Sequence, residues 1–459
     1  MISSVVAGCL ILAPPVLSFT SYANDFADPK YILSKNFPPT TVEAQRTILQ
    51  WADEFKSLGP WTVVNKTITP PTGDKHDYMS LAPYWWPDCS KVGNTTELTP
   101  EQIWTTCPYV PRDGEFNPDV RVVVNDIGNF GEMSDGILYA ALAWALNGSS
   151  DYASIAANYI KVWFIDPETK MNPNLNYAQV QRGPGSPNGT HTGILDLKSM
   201  VKILNGVLIL RGGKAPEWTS EVDNGLVEWT KEYIPWLQTA KIAIEEKDSL
   251  NNHGSFYFNQ LASLQILIGD TDGAKKTLED FFTGIYLGQI AKDGNQPFES
   301  ERTRPYHYRA YNLAAMITNA RLAEYVGYNA WNVTSKEGAT IQSACDYAMA
   351  HFGTDAASEL YPVVGAVAAV YGDPDGKYAK FLLQNNGKDY PADASFLWNQ
   401  PLSDSGLVDT SISVTGNQTT GGGSTSTQTK SDTNAAIGLP VGRWSALYVS
   451  CFAALLFSL

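Results

Sequence analysis

Hydrophobic residues recur at helical spacing along most of this chain, and no other feature constrains its fold as strongly. The segments with this periodicity are 41–58, 131–147, 151–165, 192–211, 252–268, 273–290, 311–326, 338–352 and 357–371. Short joins rich in glycine, proline and asparagine separate them, as at Gly269-Asp270 and Gly372-Asp373-Pro374. The alternation typical of strands is nearly absent, and Arg121–Val124 is the clearest short β-like run. We therefore predict an all-α protein.

Consecutive helices joined by short turns pack as antiparallel hairpins, and a series of hairpins builds either an open solenoid or an α/α toroid. No sequence repeat of about 34 to 45 residues is visible, which disfavours solenoids of the tetratricopeptide or armadillo type. No internal linker interrupts residues 24–405. We therefore predict one domain over this range, folded as a toroid of antiparallel helix hairpins.

The N-terminal end of the chain predicts export. Residues 1–23 contain no charged side chain, include the apolar run Val5–Leu17 and end in Ser21-Tyr22-Ala23. Small residues at the first and third positions before a cleavage point are typical of a signal peptide. We expect the mature protein to begin at Asn24.

The C-terminal end predicts a lipid anchor. Residues 406–434 form a linker rich in serine, threonine and glycine, which cannot bury a core. Asn434 and two alanines then precede a spacer and the apolar tail Ala446–Leu459, the pattern of a glycosylphosphatidylinositol signal. We predict attachment at Asn434, removal of residues 435–459 and a location at the cell surface. The alternative is one transmembrane helix, but the tail is shorter than the roughly twenty residues of a membrane span.

Cysteine usage agrees with export. Cys89 and Cys107 bracket a loop rich in proline, threonine and asparagine, so we predict a local disulfide between them. Cys345 lies in a helical segment and is expected to be a buried thiol. Sequons for N-glycosylation begin at Asn65, Asn94, Asn147, Asn188, Asn332 and Asn417.

Two loops carry residue types that bind sugars. The first contains His76, Tyr78, Trp85 and Trp86, and aromatic rings beside polar groups form stacking surfaces for pyranose faces. The alternative is that the tryptophans fill the core. The second loop, 172–188, is long enough to line a groove. It contains Gln181 and Arg182, and His191 follows it.

A set of polar groups suited to proton transfer beside an anion lies in two further segments. Asn251-Asn252-His253 opens a helical segment, and Arg302-Thr303-Arg304 precedes Tyr308 and Tyr311. The chain has 47 acidic and 32 basic residues, so two arginines separated by one threonine are suited to an anionic ligand. The same net charge of −15 disfavours nucleic-acid binding. The alternative is that the arginines form surface ion pairs and that Asn252 caps a helix.

These segments together resemble the alginate lyase domain family of polysaccharide lyases. The resemblance covers roughly residues 60–375 and is carried by His76–Asp88, Met171–Tyr177, Asn251-Asn252-His253 and Arg302–Tyr311. It implies an incomplete (α/α) toroid and cleavage of a uronate polymer by β-elimination. It suggests a fungal, surface-anchored member, for which glucuronan or a cell-wall uronate is a more natural substrate than alginate. We expect a monomer.

Residue by residue, Asn252 and His253 match the family's asparagine–histidine pair. Arg304 and Tyr311, seven residues apart, match the arginine and catalytic tyrosine of bacterial alginate lyases. In glucuronan lyases the tyrosine follows the second arginine of an Arg-Thr-Arg run by four residues, which is Tyr308 here. We favour Tyr308 slightly. Asn251 is expected to contact substrate.

The expected chemistry follows from the substrate. Asn252 and an arginine would neutralise the uronate carboxylate and so stabilise the enolate that forms when a base removes the C5 proton. A phenol has an ordinary pKa near ~10, so a tyrosine base would need a lower pKa supplied by Arg302 or Arg304. His253 is the alternative base, with the tyrosine protonating the departing oxygen. We expect no metal or other cofactor.

Two other classes of function stay open at this point. A glycoside hydrolase would need two carboxylates across a cleft, for which Asp77, Asp126, Asp135 and Glu299 are candidates. A non-catalytic protein at the cell surface would bind glycans without turnover.

Overall fold

Helices of this protein alternate between an inner and an outer layer. The computed structural model describes residues 26–93, 97–185, 187–352 and 357–399. The predicted signal peptide 1–23, linker 406–434, anchor site Asn434 and tail 435–459 lie outside the described residues. The helices are α1 (Pro29–Ser34), α2 (Val42–Leu58), α3 (Pro100–Thr106), α4 (Asp119–Val123), α5 (Asp126–Asn147), α6 (Ser150–Ile160), α7 (Met200–Gly213), α8 (Ser220–Thr239), α9 (Lys241–Lys247), α10 (Asn252–Leu267), α11 (Thr271–Thr283), α12 (Pro297–Ser300), α13 (Pro305–Tyr325), α14 (Ile341–Ala350), α15 (Tyr361–Tyr371) and α16 (Lys377–Asn386).

The inner layer consists of α5, α7, α10, α13 and α15, and each of these helices packs against the next. Helices α6, α8, α11, α14 and α16 lie outside them. Helix α2 packs on α5, and the short 3₁₀ turn Ala394–Leu397 contacts both α2 and α15. The fold is therefore the incomplete (α/α) toroid that the sequence predicted.

The two layers differ in the way their helices are buried. In the inner helix α10, every residue except His253 is buried, because neighbours surround the helix on all sides. In the outer helix α11 the buried residues follow helical spacing along one stripe, and they are Ala274, Thr277, Leu278, Phe281 and Phe282. The inner helices carry residues of the candidate site described below, and the outer helices cover the inner ones.

Buried polar pairs fix the alignment of α10 and α13. Ser255 Oγ donates to Asn312 Oδ1 at 2.8 Å, and Asn259 Nδ2 donates to Asn319 Oδ1 at 3.0 Å. Partner numbers increase together along both helices, so the two helices run parallel. Their N-terminal ends therefore lie at the same face of the toroid, and His253 lies at that face.

In the described part of the chain, four short strands interrupt the helical pattern. They are β1 (Met79–Leu81), β2 (Trp85–Pro87), β3 (Tyr109–Pro111) and β4 (Tyr177–Val180). Strand β1 pairs in parallel with β4, and β2 pairs antiparallel with β3. The expectation of a β-like run at Arg121–Val124 is wrong, because Asn117 Oδ1 accepts the Asp119 N–H at 3.1 Å and starts a helical turn that becomes α4.

Helix α13 begins earlier than the sequence predicted. Pro305 stands in its first turn, where a proline costs no helical hydrogen bond. This start places Tyr308 and Tyr311 in the first two turns, near the face that holds His253. Among the described residues, no helix combines the length and the apolar character needed to cross a membrane.

Candidate active site

Two imidazoles share one buried carboxylate at this face. Glu246, near the end of α9, accepts from His253 Nδ1 at 2.6 Å and from His191 Nδ1 at 2.7 Å. Burial raises the pKa of the Glu246 carboxyl, but the two imidazoles lower it more, so its pKa lies below the ordinary value. The hydrogen bond to Glu246 raises the pKa of His191. We refer to Glu246, His191 and His253 as the histidine cluster.

In the histidine cluster, each ring uses its Nδ1 atom for the hydrogen bond to Glu246, which leaves its Nε2 atom for other contacts. A neutral imidazole that donates its Nδ1–H to a carboxylate keeps a lone pair on Nε2. The ligand atoms of this cluster lie within 4.8 Å of one another, so these residues could hold a metal ion. Around tetrahedral zinc, however, ligand atoms lie about 3.3 Å apart for bonds of about 2.05 Å. The observed distances of 2.6 and 2.7 Å are those of hydrogen bonds.

The start of α10 fixes the position of His253. Asn251 is the helix cap, and its side chain accepts from the His253 N–H at 3.2 Å. Gly254 allows a close approach to the preceding turn, since a Cβ atom there would lie 2.1 Å from the Ser249 carbonyl oxygen. Asn251 is thus the cap of α10, a role that the sequence analysis had considered for Asn252.

The loop before His191 packs directly on strand β4. Thr190 N–H donates to the Ala178 carbonyl at 3.0 Å. A Cβ atom at Gly189 would lie 2.8 Å from both the Ala178 amide nitrogen and its carbonyl oxygen, so only glycine fits this approach. The short parallel sheet thus carries His191 to within hydrogen-bonding distance of Glu246.

Asn252 is directed into the protein interior. Its backbone N–H donates to Glu299 Oε1 at 2.7 Å and its Nδ2 donates to Glu299 Oε2 at 2.8 Å. Both residues are about 1% exposed. Burial raises the pKa of Glu299, and the hydrogen bonds from Asn252 oppose the rise. The amide therefore joins α10 to α12, whereas the sequence analysis expected it to face a substrate carboxylate.

Arg302 is held by the loop that follows β3. Its Nη2 and Nε atoms donate to Asp113 at 2.6 and 3.2 Å. The hydrogen bond from Arg302 lowers the pKa of Asp113 to about 2. The guanidinium carbon lies 3.7 Å from the centre of the Tyr308 ring, a cation–π contact. Arg302 thus covers one face of Tyr308.

Arg304 is more open than Arg302. Its side chain is 45% exposed, and its Nη2 atom lies 3.6 Å from Glu359 Oε1. The other oxygen of the same carboxylate lies 3.0 Å from His307 Nδ1. A guanidinium with this exposure can contact an anionic ligand.

Tyr308 and Tyr311 differ in accessibility. Tyr308 is 4% exposed, and its hydroxyl lies 3.4 Å from that of Tyr84. Tyr311 lies deep but stays partly exposed, with its ring parallel to that of His307 at 5.9 Å. Burial raises the pKa of the Tyr311 hydroxyl, and Tyr84 and Glu246 add to the rise, so both groups lie within electrostatic range of it.

Neither phenol has the lowered pKa that the sequence analysis required of a base. Burial raises the pKa of Tyr308 well above its ordinary value, Tyr84 adds to the rise, and the opposing effect of Arg302 is smaller. Burial likewise raises the pKa of Tyr311. Both hydroxyls therefore keep their protons at neutral pH.

The first aromatic loop divides between core and surface. Tyr78 is fully buried and donates to Asp196 Oδ2 at 3.0 Å, so the prediction that it binds substrate is wrong. His76 Nδ1 contacts the Lys170 carbonyl at 2.6 Å and joins two loops. Trp85 and Trp86 stay partly exposed in β2.

The second loop reaches the same region as Trp85. Gln181 and Arg182 line a cavity of about 330 Å³ together with Trp85, and Thr190, which precedes His191, lies at its edge. The structure thus brings the two loops together beside the histidine cluster. Near this cavity, the Cys89 and Cys107 sulfurs lie 2.06 Å apart and form a disulfide.

Comparison with known proteins identifies the chain. A sequence profile described as alginate lyase matches residues 62–358. The chain belongs to the alginate lyase family. Members of the alginate lyase family are polysaccharide lyases, and the chain is therefore a polysaccharide lyase. No curated protein is significantly similar to it.

Solved structures of alginate lyases are similar to this family member. A crystal structure of an alginate lyase from Bacteroides ovatus is 29% identical, with a TM-score of 0.65, and the match covers 83% of this chain and 96% of that one. Alginate lyase A1-III from Sphingomonas species A1 is 14% identical, with a TM-score of 0.47 and the same coverage of 83% and 96%.

In this alginate lyase family member, each of the four carboxylates considered for a hydrolase contacts a polar or charged side chain of the protein. Asp126 lies 3.1 Å from Lys66 Nζ, and Asp135 lies 2.6 Å from Lys202 Nζ, with all four side chains buried. Asp77 accepts hydrogen bonds from Thr72 at 2.6 Å and Asn172 at 2.8 Å. Glu299 holds Asn252, so none of the four is an open carboxylate facing another across a cleft.

Several residues that contact the candidate groups of this alginate lyase family member were not found from the sequence. They are Tyr84, Asp113, Glu246 and Glu359. Glu246 precedes His253 by seven residues in another helix, and no short motif joins them. Tyr84 stands beside Trp85 in the aromatic loop, which was the one available signal.

Proposed function

We propose that this polysaccharide lyase cleaves a uronic-acid polymer by β-elimination at the face formed by the histidine cluster and Tyr311. The observation that carries the proposal is the Glu246–His253 hydrogen bond beside a phenol of raised pKa. An acid and a base whose proton affinities differ in this way can serve the two ends of one elimination.

His253 is the proposed base. Its Nε2 lone pair takes the C5 proton of the uronate, and the electron pair of the broken C5–H bond forms the C4–C5 double bond. Glu246 holds the ring in the required tautomer and stabilises the imidazolium that results. His191, on the other oxygen of Glu246, keeps that carboxylate oriented toward both rings.

Tyr311 is the proposed acid. The C4–O4 bond breaks as the phenol donates its proton to O4, which leaves an unsaturated uronate at the new non-reducing end. The raised pKa of Tyr311 keeps the proton in place until that step. The imidazolium then returns a proton to the phenolate through solvent. Tyr308 is the alternative acid, but its side chain is 4% exposed and covered by Arg302.

Arg304 is the proposed partner of the uronate carboxylate. Removal of the C5 proton spreads charge onto that carboxylate, and a guanidinium fixed beside it stabilises the enolate. The side chain of Arg304 is 45% exposed, compared with 21% for Arg302, which Asp113 already binds through two nitrogen atoms. Glu359, which is largely buried, lies 3.6 Å from Arg304 Nη2.

Glucuronan is the substrate we propose ahead of alginate. The support is the Arg302-Thr303-Arg304 run, which resembles that of glucuronan lyases. The test is to incubate the purified protein with glucuronan, polymannuronate, polyguluronate and polygalacturonate and to follow the ultraviolet absorbance of the unsaturated product. Absorbance should rise fastest with glucuronan. A higher rate with either alginate block would reject the preference, and no rise with any uronate would reject the activity.

Export and anchoring are part of the same proposal. The support is the uncharged, apolar segment 1–23 and the Asn434-Ala435-Ala436 sequence before the apolar tail 446–459. A stop codon in place of Ala435 should release the enzyme from the cell surface into the medium. Detection of a peptide from 446–459 in the protein made by the cell would contradict the anchor.

A further inference from the structure

A cavity of about 330 Å³ is lined by residues that stand next in sequence to two residues of the candidate site. Two neighbours in sequence connect it to them, because Trp85 follows Tyr84 and Thr190 precedes His191. The cavity is large enough for one sugar ring, and the partly exposed ring of Trp85 on its wall is suited to an apolar pyranose face. A bound chain would therefore place a second sugar here while one lies at His253.

Arg182 lines this cavity and is a buried cation without a matching anion. Its side chain is 8% exposed and stacks on Tyr109, with 4.7 Å from the guanidinium carbon to the ring centre. Within the described residues it makes no ion pair, and its Nη2 atom has no hydrogen-bond partner. Burial lowers the pKa of Arg182, and Tyr109 and Asp119 offset this only in part.

Two other partly buried arginines of this protein form ion pairs with carboxylates. Arg302 donates to Asp113 at 2.6 Å, and Arg211 forms an ion pair with Asp223. A buried cation without such a partner is costly, and the cost is recovered when an anion binds. The walls of the cavity thus supply a fixed positive charge, and the ligand must supply the negative one.

We propose that the cavity is a subsite for a second uronate, whose carboxylate binds Arg182 while its ring lies against Trp85. This inference rests on the proposed function and extends it. An arginine–carboxylate contact is charge-assisted and directional, so a neutral sugar cannot replace it. The enzyme should therefore prefer polymers in which uronates are consecutive over polymers in which uronate and neutral sugar alternate.

The test compares Arg182→Met with the wild-type enzyme on a homopolymeric uronate and on an alternating one. A hydrogen bond to a charged group contributes enough for a loss of about 10- to 100-fold in kcat/KM on the homopolymer, mainly through KM. On the alternating polymer the variant should lose less than about threefold. Arg112→Met is the matched control, because Arg112 also lies over an aromatic ring, that of Trp86, but is exposed and has Glu115 as its partner. Its kinetics should match wild type on both polymers.

Calorimetry on the catalytically impaired Tyr311→Phe variant measures binding at this subsite without turnover. Uronate trimers should bind more tightly than carboxyl-reduced trimers, and Arg182→Met should reduce the difference about 10- to 100-fold, to the part that Arg304 supplies. If Arg182→Met folds poorly, Arg182→Lys in the same assay should keep part of the discrimination.

Equal binding of the two trimers by the Arg182-containing protein would overturn the subsite. Unchanged discrimination in the Met variant would overturn the role of Arg182. Failure of the wild type to make unsaturated products would reject the proposed function instead, and the binding result would still decide the subsite.

Discussion

Glu246 Oε1 accepts a hydrogen bond from His253 Nδ1 at 2.6 Å, and this contact connects the end of α9 to the first turn of α10. The carboxylate is fully buried, so water cannot replace it as the partner of the ring. The tautomer and orientation of the proposed base therefore depend on one residue that does not touch the substrate.

Replacement of Glu246 by glutamine should lower kcat by at least about 100-fold, because the base loses the charge that stabilises its imidazolium form. Substrate binding should change little. Steady-state kinetics with glucuronan would measure both effects. Glu245→Gln is the matched control, since Glu245 is an exposed neighbour that pairs with Lys241 at 3.8 Å. Equal losses of kcat in the two variants would mean that the hydrogen bond between Glu246 and His253 has no catalytic role.

His191 should make stability depend on pH in a defined direction. The hydrogen bond to Glu246 raises the pKa of His191, and Glu245 adds to the rise. A group whose pKa is raised on folding stabilises the protein below its ordinary pKa of about 6.5, and this contribution disappears as pH rises through the higher value. The lowered pKa of Glu246 keeps the carboxylate charged in the acidic part of this range.

The measurement is urea unfolding of wild type and His191→Gln near pH 5.5 and pH 9. The variant should lose more stability at the lower pH. The loss should be small, because His191 is 43% exposed and solvent screens its ion pair with Glu246. A loss that is the same at both pH values would show that the ion pair does not form.

Tyr311→Phe should lower kcat by at least about 100-fold, because it removes the proton donor and keeps the packing of the ring against Phe256 and His307. Tyr308→Phe is the paired variant and should cost less than about tenfold, since that hydroxyl makes only a 3.4 Å contact with Tyr84. The reverse order would assign the acid to Tyr308, as the sequence analysis preferred.

The disulfide between Cys89 and Cys107 should stabilise the protein by about 3 kcal/mol, since it closes a loop of 18 residues in the unfolded chain. The double serine variant should show this loss in urea unfolding. A reducing agent should produce the same loss in wild type and none in the variant. Peptide mapping that finds both residues as free thiols would contradict the prediction.

The helical frame was predictable from the sequence, because burial on a helix leaves a periodic pattern. Segment 41–58 corresponds to α2, and 252–268 corresponds to α10 within a residue. The short run Arg121–Val124 was misassigned, because a few valines carry a β preference that the turn starting at Asn117 overrides. Short runs contain too few residues for periodicity to decide.

The candidate site was only partly predictable, for a different physical reason. His253 and Tyr311 were found through local motifs, whereas Glu246 contacts both histidines through tertiary packing that no spacing encodes. The phenols were expected to have lowered pKa values beside the arginines. Burial raises both pKa values instead. How deeply a residue is buried depends on the complete toroid, which local sequence does not show.

The reaction itself can be tested most directly by digesting glucuronan in water enriched in oxygen-18 and weighing the oligosaccharides by mass spectrometry. Elimination takes no atom from water, so the cleavage step should add no label and should give fragments lighter than a hydrolysis product by one water molecule. Tyr311→Phe and Glu246→Gln should produce almost none of them. Labelled, saturated oligosaccharides would identify the enzyme as a hydrolase and contradict the account.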